Sequence, residues 1–565
     1  MNLDSDKLHD AALAELTGAG QLLELTELSK PWGSQPVFRN APKTLGDYFA
    51  FMLQHADKTF LVFGEERYTF SEVWVLANRI ASALQAVGIE KGDRVAIAMR
   101  NYPEWILAFM GISLAGGIVV PLNSWWKGVE LQQAIDDSGS RFAFVDEERD
   151  ARLADAGSSI TRVVVRANTA RREATDFEDF LQSAKDTPQS VDVDTDDDAT
   201  IFYTSGSTSY PKGVVSTHRA LTNTMLNYAA HGLAQQSIDR SLESHPSKPS
   251  RDEQPATLLT VPLFHVTGCH SIFMISVLIG RKIVLLEKWD AGKALAMIER
   301  ERVTTFMGVP TMSRELTEHP AVEKYDISSL TEINAGGAAR PEDHLRRLQA
   351  RFPDLKPGMA YGLTETNGTG AVNSREGYLS QPQSTGRAMR PLAELAILDE
   401  DGTSKAGSGE GEIAVRSITL ARGYWGKPEE TAQAFQADGW FRTGDLGYLK
   451  DGYLTIVGRK KDMILRGGEN IACQEVEAAM MADSQVMEAC VFSVPDDRLG
   501  EAVRAVVYVQ DASAFNEDQH RRLLESSLAA FKHPKVIVTV AEPLPRLGSG
   551  KIDKLTVKSE FSDAI

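Results

Sequence analysis

The sequence predicts an α/β protein built from two α/β subdomains, a small β-barrel or sandwich, and a separate small α+β domain at the C-terminus. Three observations carry that prediction. Apolar, strand-like runs alternate with helical patterns from Thr44 to about residue 145 and again from Thr257 to about Asn334, the pattern of layered, largely parallel sheets. Between Ser384 and Arg416 the texture changes to short alternating strands and Gly-rich turns such as Asp399-Glu400-Asp401-Gly402. Beyond about Arg459 a fresh α+β pattern runs on for roughly a hundred residues, the size of an independent domain.

Residues 1–40 read as one short acidic helix followed by a Pro-containing linker, Lys30-Pro31-Trp32-Gly33. A helix around Leu45–His55 and a hairpin over Phe60–Tyr68 come next. Val73, Leu76, Ile80 and Leu84 then recur at helical spacing. Arg94–Met99 is an apolar strand. The uncharged stretch from Trp105 to Leu122 is broken by Gly116, Gly117 and Pro121, and divides into a buried helix and a strand rather than a membrane span. A helix over 128–137 and a strand over 141–145 complete the first run. Residues 146–198 are polar and end in an acidic run, Asp192 to Asp198, expected to be a solvated connection. A helix over about 216–230 leads to His231–Gln254, rich in Ser, Asp and Pro and expected as a surface insertion. Strands are expected near 258–261, 282–286, 304–307, 332–334 and 452–457. In the last domain the expectation is a helix over 474–482, strands over 487–494 and 502–509, a helix over 516–530 and a strand over 535–540.

Bulk properties narrow the class. The 565 residues are 42% hydrophobic and 24% charged, as in globular proteins, and the net charge of −18 argues against a uniformly basic nucleic-acid surface. Three cysteines, Cys269, Cys473 and Cys490, form no CxxC pair, so neither a disulfide framework nor a zinc site is expected. The N-terminus is acidic, without the cationic start and apolar centre of a signal peptide. The expectation is a cytoplasmic protein with no integral membrane segment.

The chemistry is concentrated in loops at strand ends, where α/β proteins form ligand sites. After the apolar run Ala199–Tyr203 comes Thr204-Ser205-Gly206-Ser207-Thr208-Ser209-Tyr210-Pro211-Lys212-Gly213. Backbone N–H groups and hydroxyls on such a loop can converge on polyphosphate, with Lys212 adding a positive charge. It is not a Walker A loop, because Gly213 stands where Ser or Thr would hold Mg2+. Asn334-Ala335-Gly336-Gly337-Ala338-Ala339 lets a flat base lie against bare backbone. Tyr361-Gly362-Leu363-Thr364-Glu365-Thr366 sets a ring, a hydroxyl and a carboxylate on one turn, suited to stacking, phosphate contact and Mg2+. Asp445, in Phe441-Arg442-Thr443-Gly444-Asp445, fits a ribose diol. Gly458-Arg459-Lys460-Lys461-Asp462 stands at the domain junction, and Pro545-Arg546-Leu547-Gly548-Ser549-Gly550-Lys551 places a Gly-flanked lysine near the end. Each alone also reads as a turn cap, an ion pair or a surface lysine; the ordered set is what carries weight.

With these motifs, from about Thr44 to Lys554, the sequence resembles the adenylate-forming superfamily: acyl-CoA synthetases, amino-acid adenylation domains and beetle luciferases. The resemblance implies a large N-terminal domain (1–460) of two α/β subdomains plus a small β-barrel, with a hinged, small α+β C-terminal domain (461–565). It implies a two-step reaction in which a carboxylate attacks the α-phosphate of ATP, releasing pyrophosphate, and a thiol then takes the acyl group and releases AMP. On this chain, Thr204, Ser205, Gly206, Ser207, Thr208 and Lys212 would hold the β- and γ-phosphates. Thr364 would bind the α-phosphate and Glu365 Mg2+. Gly336, Gly337, Ala338 and Tyr361 would frame adenine, and Asp445 and Arg459 the ribose. Lys551 would bridge the α-phosphate and the attacking carboxylate, with His265 beside the acyl carbonyl. Lys461 matches the hinge, and Gly467 and Gly468 the tunnel for CoA. Ser209 departs from the Gly usual in the phosphate loop, Ala472-Cys473 from the usual Tyr-Pro, and Gly548 from the Thr or similar residue usual before Ser549.

The segment Phe264-His265-Val266-Thr267-Gly268 lacks the aspartate with which amino-acid adenylation domains grip an ammonium. The expected acyl pocket, Tyr228, His265, Val266, Phe306 and Val309 with Met225, Ile272 and Met307, is mostly apolar and suits a hydrophobic, fatty-acid-like carboxylic acid. The expected function is ATP-dependent acyl-CoA synthesis. Aryl-acid or steroid-side-chain CoA ligases, loading of a separate carrier protein, a luciferase-like oxidation and a non-catalytic nucleotide-binding regulator are the competing readings. ATP, Mg2+ and CoA are the expected small molecules. A homodimer and a peripheral membrane contact are compatible with this reading.

Overall fold

The computed structural model describes residues 2–168, 174–184, 187–204, 211–241, 254–337, 340–399, 401–403, 409–466, 469–511, 515–548 and 550–562. Two large sheets dominate. The eight-stranded sheet runs, edge to edge, Gly423–Tyr424, Lys212–Thr217, Asp198–Thr204, Ile118–Pro121, Arg94–Ala98, Phe142–Asp146, Thr161–Val165 and Thr175–Asp176. The nine-stranded sheet runs Arg387–Ala388, Ala371–Ser374, Lys356–Tyr361, Glu332–Gly336, Thr305–Gly308, Ala256–Leu259, Lys282–Leu285, Thr59–Phe63 and Glu66–Thr69. Pairing is parallel through the middle of both and antiparallel at one or both edges.

One continuous core lies between these sheets, joining Val95 and Phe144 of one to Leu61, Leu258 and Ile333 of the other. Its centre is the helix Pro103–Leu114, apolar all round and buried on every face, as a helix between two layers must be. Trp105 and Phe109 stack there at 5.4 Å between centroids. Gly111 lets the helix approach Phe70–Ala86 so closely that a β-carbon would meet Ile80 Cβ at 2.6 Å. Thr44 and Thr69 start their helices with reciprocal caps from Asp47 and Glu72.

The small β unit is a four-stranded antiparallel sheet, Glu394–Leu398, Gly411–Arg416, Phe441–Lys450 and Tyr453–Arg459. Its last strand pairs on beyond the four, Leu454 bridging antiparallel to Gly386. The single turn Lys460–Asp462 leads from it to a five-stranded sheet with its own core around Ile464, Val476, Val491 and Val507.

Three stretches differ from expectation. Lys30-Pro31-Trp32-Gly33 is the turn of a hairpin, Leu25–Lys30 with Gly33–Phe38, rather than a linker. Residues 146–198 are not simply a solvated connection: the helix Glu147–Asp155 and the strands Thr161–Val165 and Thr175–Asp176 extend the first sheet. The acidic run ties segments together, with Asp196 on Arg219, Asp197 on Lys91 and Asp198 on Arg422. The helix starting at His218 continues to Ser241, and the rest of the expected insertion, 242–253, lies outside the described residues. None of the described helices is long and apolar enough to cross a membrane.

Candidate active site

Tyr361, Gly337, Asp445, Arg459 and Lys551 come together between the nine-stranded sheet, the four-stranded sheet and the last loop of the chain. Tyr361 ends the strand Lys356–Tyr361, and its hydroxyl donates to Asp445 Oδ2 at 2.7 Å. Asp445 is paired across the small sheet with Arg459, whose Nε donates to Oδ1 at 3.0 Å. Asp445 is 5% exposed and so holds both oxygens in defined bonds, while Arg459 stays exposed. Burial first, and the Asp445 charge second, push the Tyr361 phenol well above its ordinary value, so it is a donor at any working pH.

Gly336 ends the neighbouring strand, and Gly337 follows with φ +79, a backbone region that favours glycine. A β-carbon at Gly337 would fall 2.8 Å from Lys551 Cε, so Lys551 lies directly on this bare backbone. Burial and the Arg459 charge lower the Lys551 ammonium to about 8, with Asp445 opposing. His265 feels the same cation: burial first, and Lys551 second, lower its imidazole to about 3. His265 is therefore neutral at physiological pH. Its Nε2 is buried without a protein partner among the described residues.

On the phosphate side, Thr204 and Lys212 are cross-strand neighbours at the base of the hydroxyl-rich loop. Ser205, Gly206, Ser207, Thr208 and Ser209 lie outside the described residues, as do Ala338 and the pair Gly467 and Gly468. Lys212 Nζ sits 4.9 Å from the centre of the Tyr424 ring, and the Tyr424 hydroxyl donates to Glu365 Oε1 at 2.9 Å. Tyr424 thus links the lysine at the phosphate loop to the carboxylate on the Thr364–Thr366 turn. The sequence reading missed it. Its only signal is the Gly423-Tyr424 pair, a two-residue strand that pairs with Val214 and Val215 across more than two hundred residues of chain. Burial raises the Glu365 carboxyl, because leaving water disfavours its charged form.

The expected acyl-pocket residues are less uniformly placed. Val266 follows His265 at the start of a helical segment whose next turn, Cys269–Met274, is wound as a π-helix. Val309 stands at the end of the strand Thr305–Gly308, close to the Lys551 loop: a β-carbon on Gly550 would lie 3.6 Å from Val309 Cγ2 and 3.3 Å from Met312 Cε. Phe306 is fully buried against Trp289, ring centres 5.8 Å apart, and a β-carbon on Gly308 would meet its Cζ at 3.0 Å. Tyr228 donates to Asn367 O at 3.1 Å and crowds Gly368. Asn367, another residue missed, is a fully buried hub with φ 53, accepting from Ser216 and donating to Thr419 O.

The arrangement brings together a bare glycine backbone at Gly336 and Gly337, the Asp445 carboxylate with its two donors, and Lys551, with Lys212 joined to Glu365 through Tyr424.

The comparisons with known proteins identify the family. The family model for AMP-binding enzymes matches residues 49–425, and that for the AMP-binding enzyme C-terminal domain matches residues 475–551. The chain is similar to the long-chain-fatty-acid–CoA ligase FadD13 of Mycobacterium tuberculosis, 33% identical over 508 residues, 88% of this chain and 94% of the relative. It is likewise similar to the feruloyl-CoA synthase of an Amycolatopsis species, 33% identical over 533 residues, 94% of this chain and 99% of the relative. Among solved structures, ATP-bound MatB from Rhodopseudomonas palustris superposes with a TM-score of 0.78 at 27% identity, covering 92% of this chain and 99% of its own.

The chain belongs to the AMP-binding enzyme family, whose fold of two-part α/β architecture it shares. Within that family it is an AMP-forming acid–thiol ligase of the acyl-CoA synthetase kind, with ATP and CoA as substrates beside a carboxylic acid.

Proposed function

We propose that the acid is hydrophobic and fatty-acid-like, and that the described arrangement is the one in which it is adenylated. The observation that supports this reading is the enclosed Lys551, laid on Gly337 within the electrostatic reach of Asp445, Arg459 and His265. In this reading Tyr361, Gly336 and Gly337 hold adenine, with Ala338 beside them on motif grounds. Asp445 and Arg459 hold the ribose. Thr204 and Lys212, with Ser205, Gly206, Ser207 and Thr208, hold the distal phosphates, and Thr364 the α-phosphate. Lys551 draws the carboxylate oxygen and the α-phosphate together and stabilises the charge that builds as pyrophosphate leaves. Neutral His265 offers a hydrogen-bonding nitrogen to the acyl carbonyl.

Glu365 is the carboxylate for Mg2+, which would neutralise phosphate charge. Mg2+ is commonly held by one or two protein carboxylates plus substrate phosphates, and the link from Glu365 through Tyr424 to Lys212 at the phosphate loop supports that role. Domains 1–460 and 461–565, with Lys461 as hinge, give the second arrangement, in which the Lys551 loop withdraws and Gly467 and Gly468 line the way for CoA. The separate core of the C-terminal sheet and the single connecting turn support it. The buried, unpaired cysteines support a reducing cytoplasm.

Val266, Phe306 and Val309 supply an apolar wall for the acid's body. A second reading, an aromatic or polycyclic acid, is supported by the likeness to a feruloyl-CoA synthase. The names of the relatives span both chemistries. The test is a mass-spectrometric assay with ATP, Mg2+, CoA and a panel of fatty acids of rising chain length, hydroxycinnamates, benzoates and steroid-side-chain acids. Acyl-CoA formation fastest with a fatty acid supports the first reading. A preference for a ring acid replaces it with the second, and preference for acetate or an amino acid overturns both.

A further inference from the structure

We propose that Arg546 is a positioning residue that clamps the Lys551 loop in the adenylating arrangement by joining it to the helix at the edge of the acyl pocket. The loop shapes itself. Leu547 N donates to Lys551 O at 2.8 Å, Gly550 N to Leu547 O at 2.8 Å and Asp553 N to Pro545 O at 2.7 Å, with a bridge between Arg546 and Ile552. These bonds set the loop's form but not its place in the cleft. The Arg546 guanidinium does that. Its Nη1 donates to Gly550 O at 2.6 Å and to Thr311 Oγ1 at 3.2 Å, and its Nη2 pairs with Glu488. Glu488 is 5% exposed, and its other oxygen accepts from Leu544 N at 2.9 Å.

Three structural units therefore meet on one planar group: the loop itself, the strand Val486–Asp496 that carries Glu488, and the helix Pro310–Thr317 that carries Thr311. That helix also presents Met312 to Gly550, next to Val309. A guanidinium can serve three acceptors at fixed angles; a lysine ammonium is a point charge on a flexible stem. Glu488 and Gly550 travel with Arg546 when the C-terminal part turns, because all three lie beyond the Lys460–Asp462 turn. Thr311 lies on the other side and is left behind. The clamp is therefore made in one half-reaction and broken in the other. This inference rests on the two-arrangement reading given above.

The experiment measures both half-reactions in wild type, Arg546→Lys, Thr311→Val and Lys551→Ala. The probe is whichever of dodecanoate, hexadecanoate and ferulate releases most AMP, together with the synthetic adenylate of that acid. The first half is acid-dependent ATP–pyrophosphate exchange, and the second is thioester formation from the supplied adenylate and CoA. Arg546→Lys should lower exchange about tenfold, the loss expected of one buried charge-assisted hydrogen bond, and Thr311→Val about threefold. Transfer should stay within about twofold in both variants, since the clamp is open in that step. Equal loss in both halves for Arg546→Lys, or full exchange, overturns the clamp. Lys551→Ala separates the two readings. If it lowers only exchange while Arg546→Lys does not, the clamp alone fails; if it lowers both halves equally, the two-arrangement reading fails with it.

Discussion

Lys551 lies on the bare backbone of Gly337, so close that a β-carbon at residue 337 would fall 2.8 Å from Lys551 Cε. More than two hundred residues separate them in the chain, yet the contact fixes where the lysine of the last loop sits. Gly337 is also at φ +79, so a side chain there is strained before it meets the lysine. Gly337→Ala should therefore displace Lys551 and lower ATP–pyrophosphate exchange by about a hundredfold, the scale of losing a positioned charge at a reacting centre. Steady-state exchange kinetics check this, and an unchanged rate would mean that Lys551 acts from elsewhere.

Lys551→Ala should abolish adenylation yet leave thioester formation from supplied acyl-adenylate largely intact. Separate assays of the two halves decide this. Equal loss in both would place Lys551 in both steps and contradict its withdrawal from the site.

The pH dependence follows from burial. Taking an ammonium out of water disfavours its charged form, and the Arg459 charge works in the same direction, which brings Lys551 down to about 8. The Lys551 ammonium is thus charged below that value and neutral above it. The kcat/KM for ATP should fall as pH rises through about 8. Arg459→Gln removes a neighbouring positive charge and unpairs Asp445, and both changes favour the ammonium, so the midpoint should move up. A midpoint that stays or falls would assign the titration to another group.

Asp445 accepts from both Tyr361 and Arg459 and is nearly inaccessible. Asp445→Asn keeps the size and loses the charge. It should raise the KM for ATP about tenfold, in line with hydrogen bonds to a buried charged group. Tyr361→Phe removes a single bond and should cost less. Isothermal titration with ATP reads both variants, and equal losses would mean that Asp445 meets no ligand directly.

Lys461 stands in the single turn Lys460–Asp462 that connects the two parts. Proline fixes φ near −65°. Lys461→Pro should keep exchange and lose transfer to CoA, the reverse of Lys551→Ala. Full overall turnover would reject Lys461 as the hinge.

Much of this site was legible because its chemistry is written in contiguous loops. The Tyr361–Glu365 turn, the Gly336-Gly337 step and the Lys551 loop each carry their residue types within a few positions, at the ends of strands that apolar runs reveal. Tyr424 was not legible, because its place depends on a two-residue strand paired across the sheet, too short to leave a period. Asn367 escaped for a similar reason: its role as a hub comes from four partners on three distant segments. Arg546 was visible as part of a motif, but its bond to Glu488 exists only once the C-terminal sheet has formed, and its bond to Thr311 only once that sheet docks. The strands after residue 146 were hidden because Thr161–Val165 is one short apolar run amid polar sequence and Thr175–Asp176 is a two-residue edge strand, neither leaving a repeated pattern.

The most direct test of the central claim follows oxygen atoms. The acid that turns over best is labelled with oxygen-18 in its carboxyl group and incubated with the enzyme, ATP, Mg2+ and CoA, and the products are weighed by mass spectrometry. If the carboxylate attacks the α-phosphate and the thiol later displaces AMP, the AMP carries a single labelled oxygen, the acyl-CoA retains the other, and pyrophosphate carries none. Label in inorganic phosphate with ADP as the nucleotide product, or AMP free of label, would contradict the adenylate route.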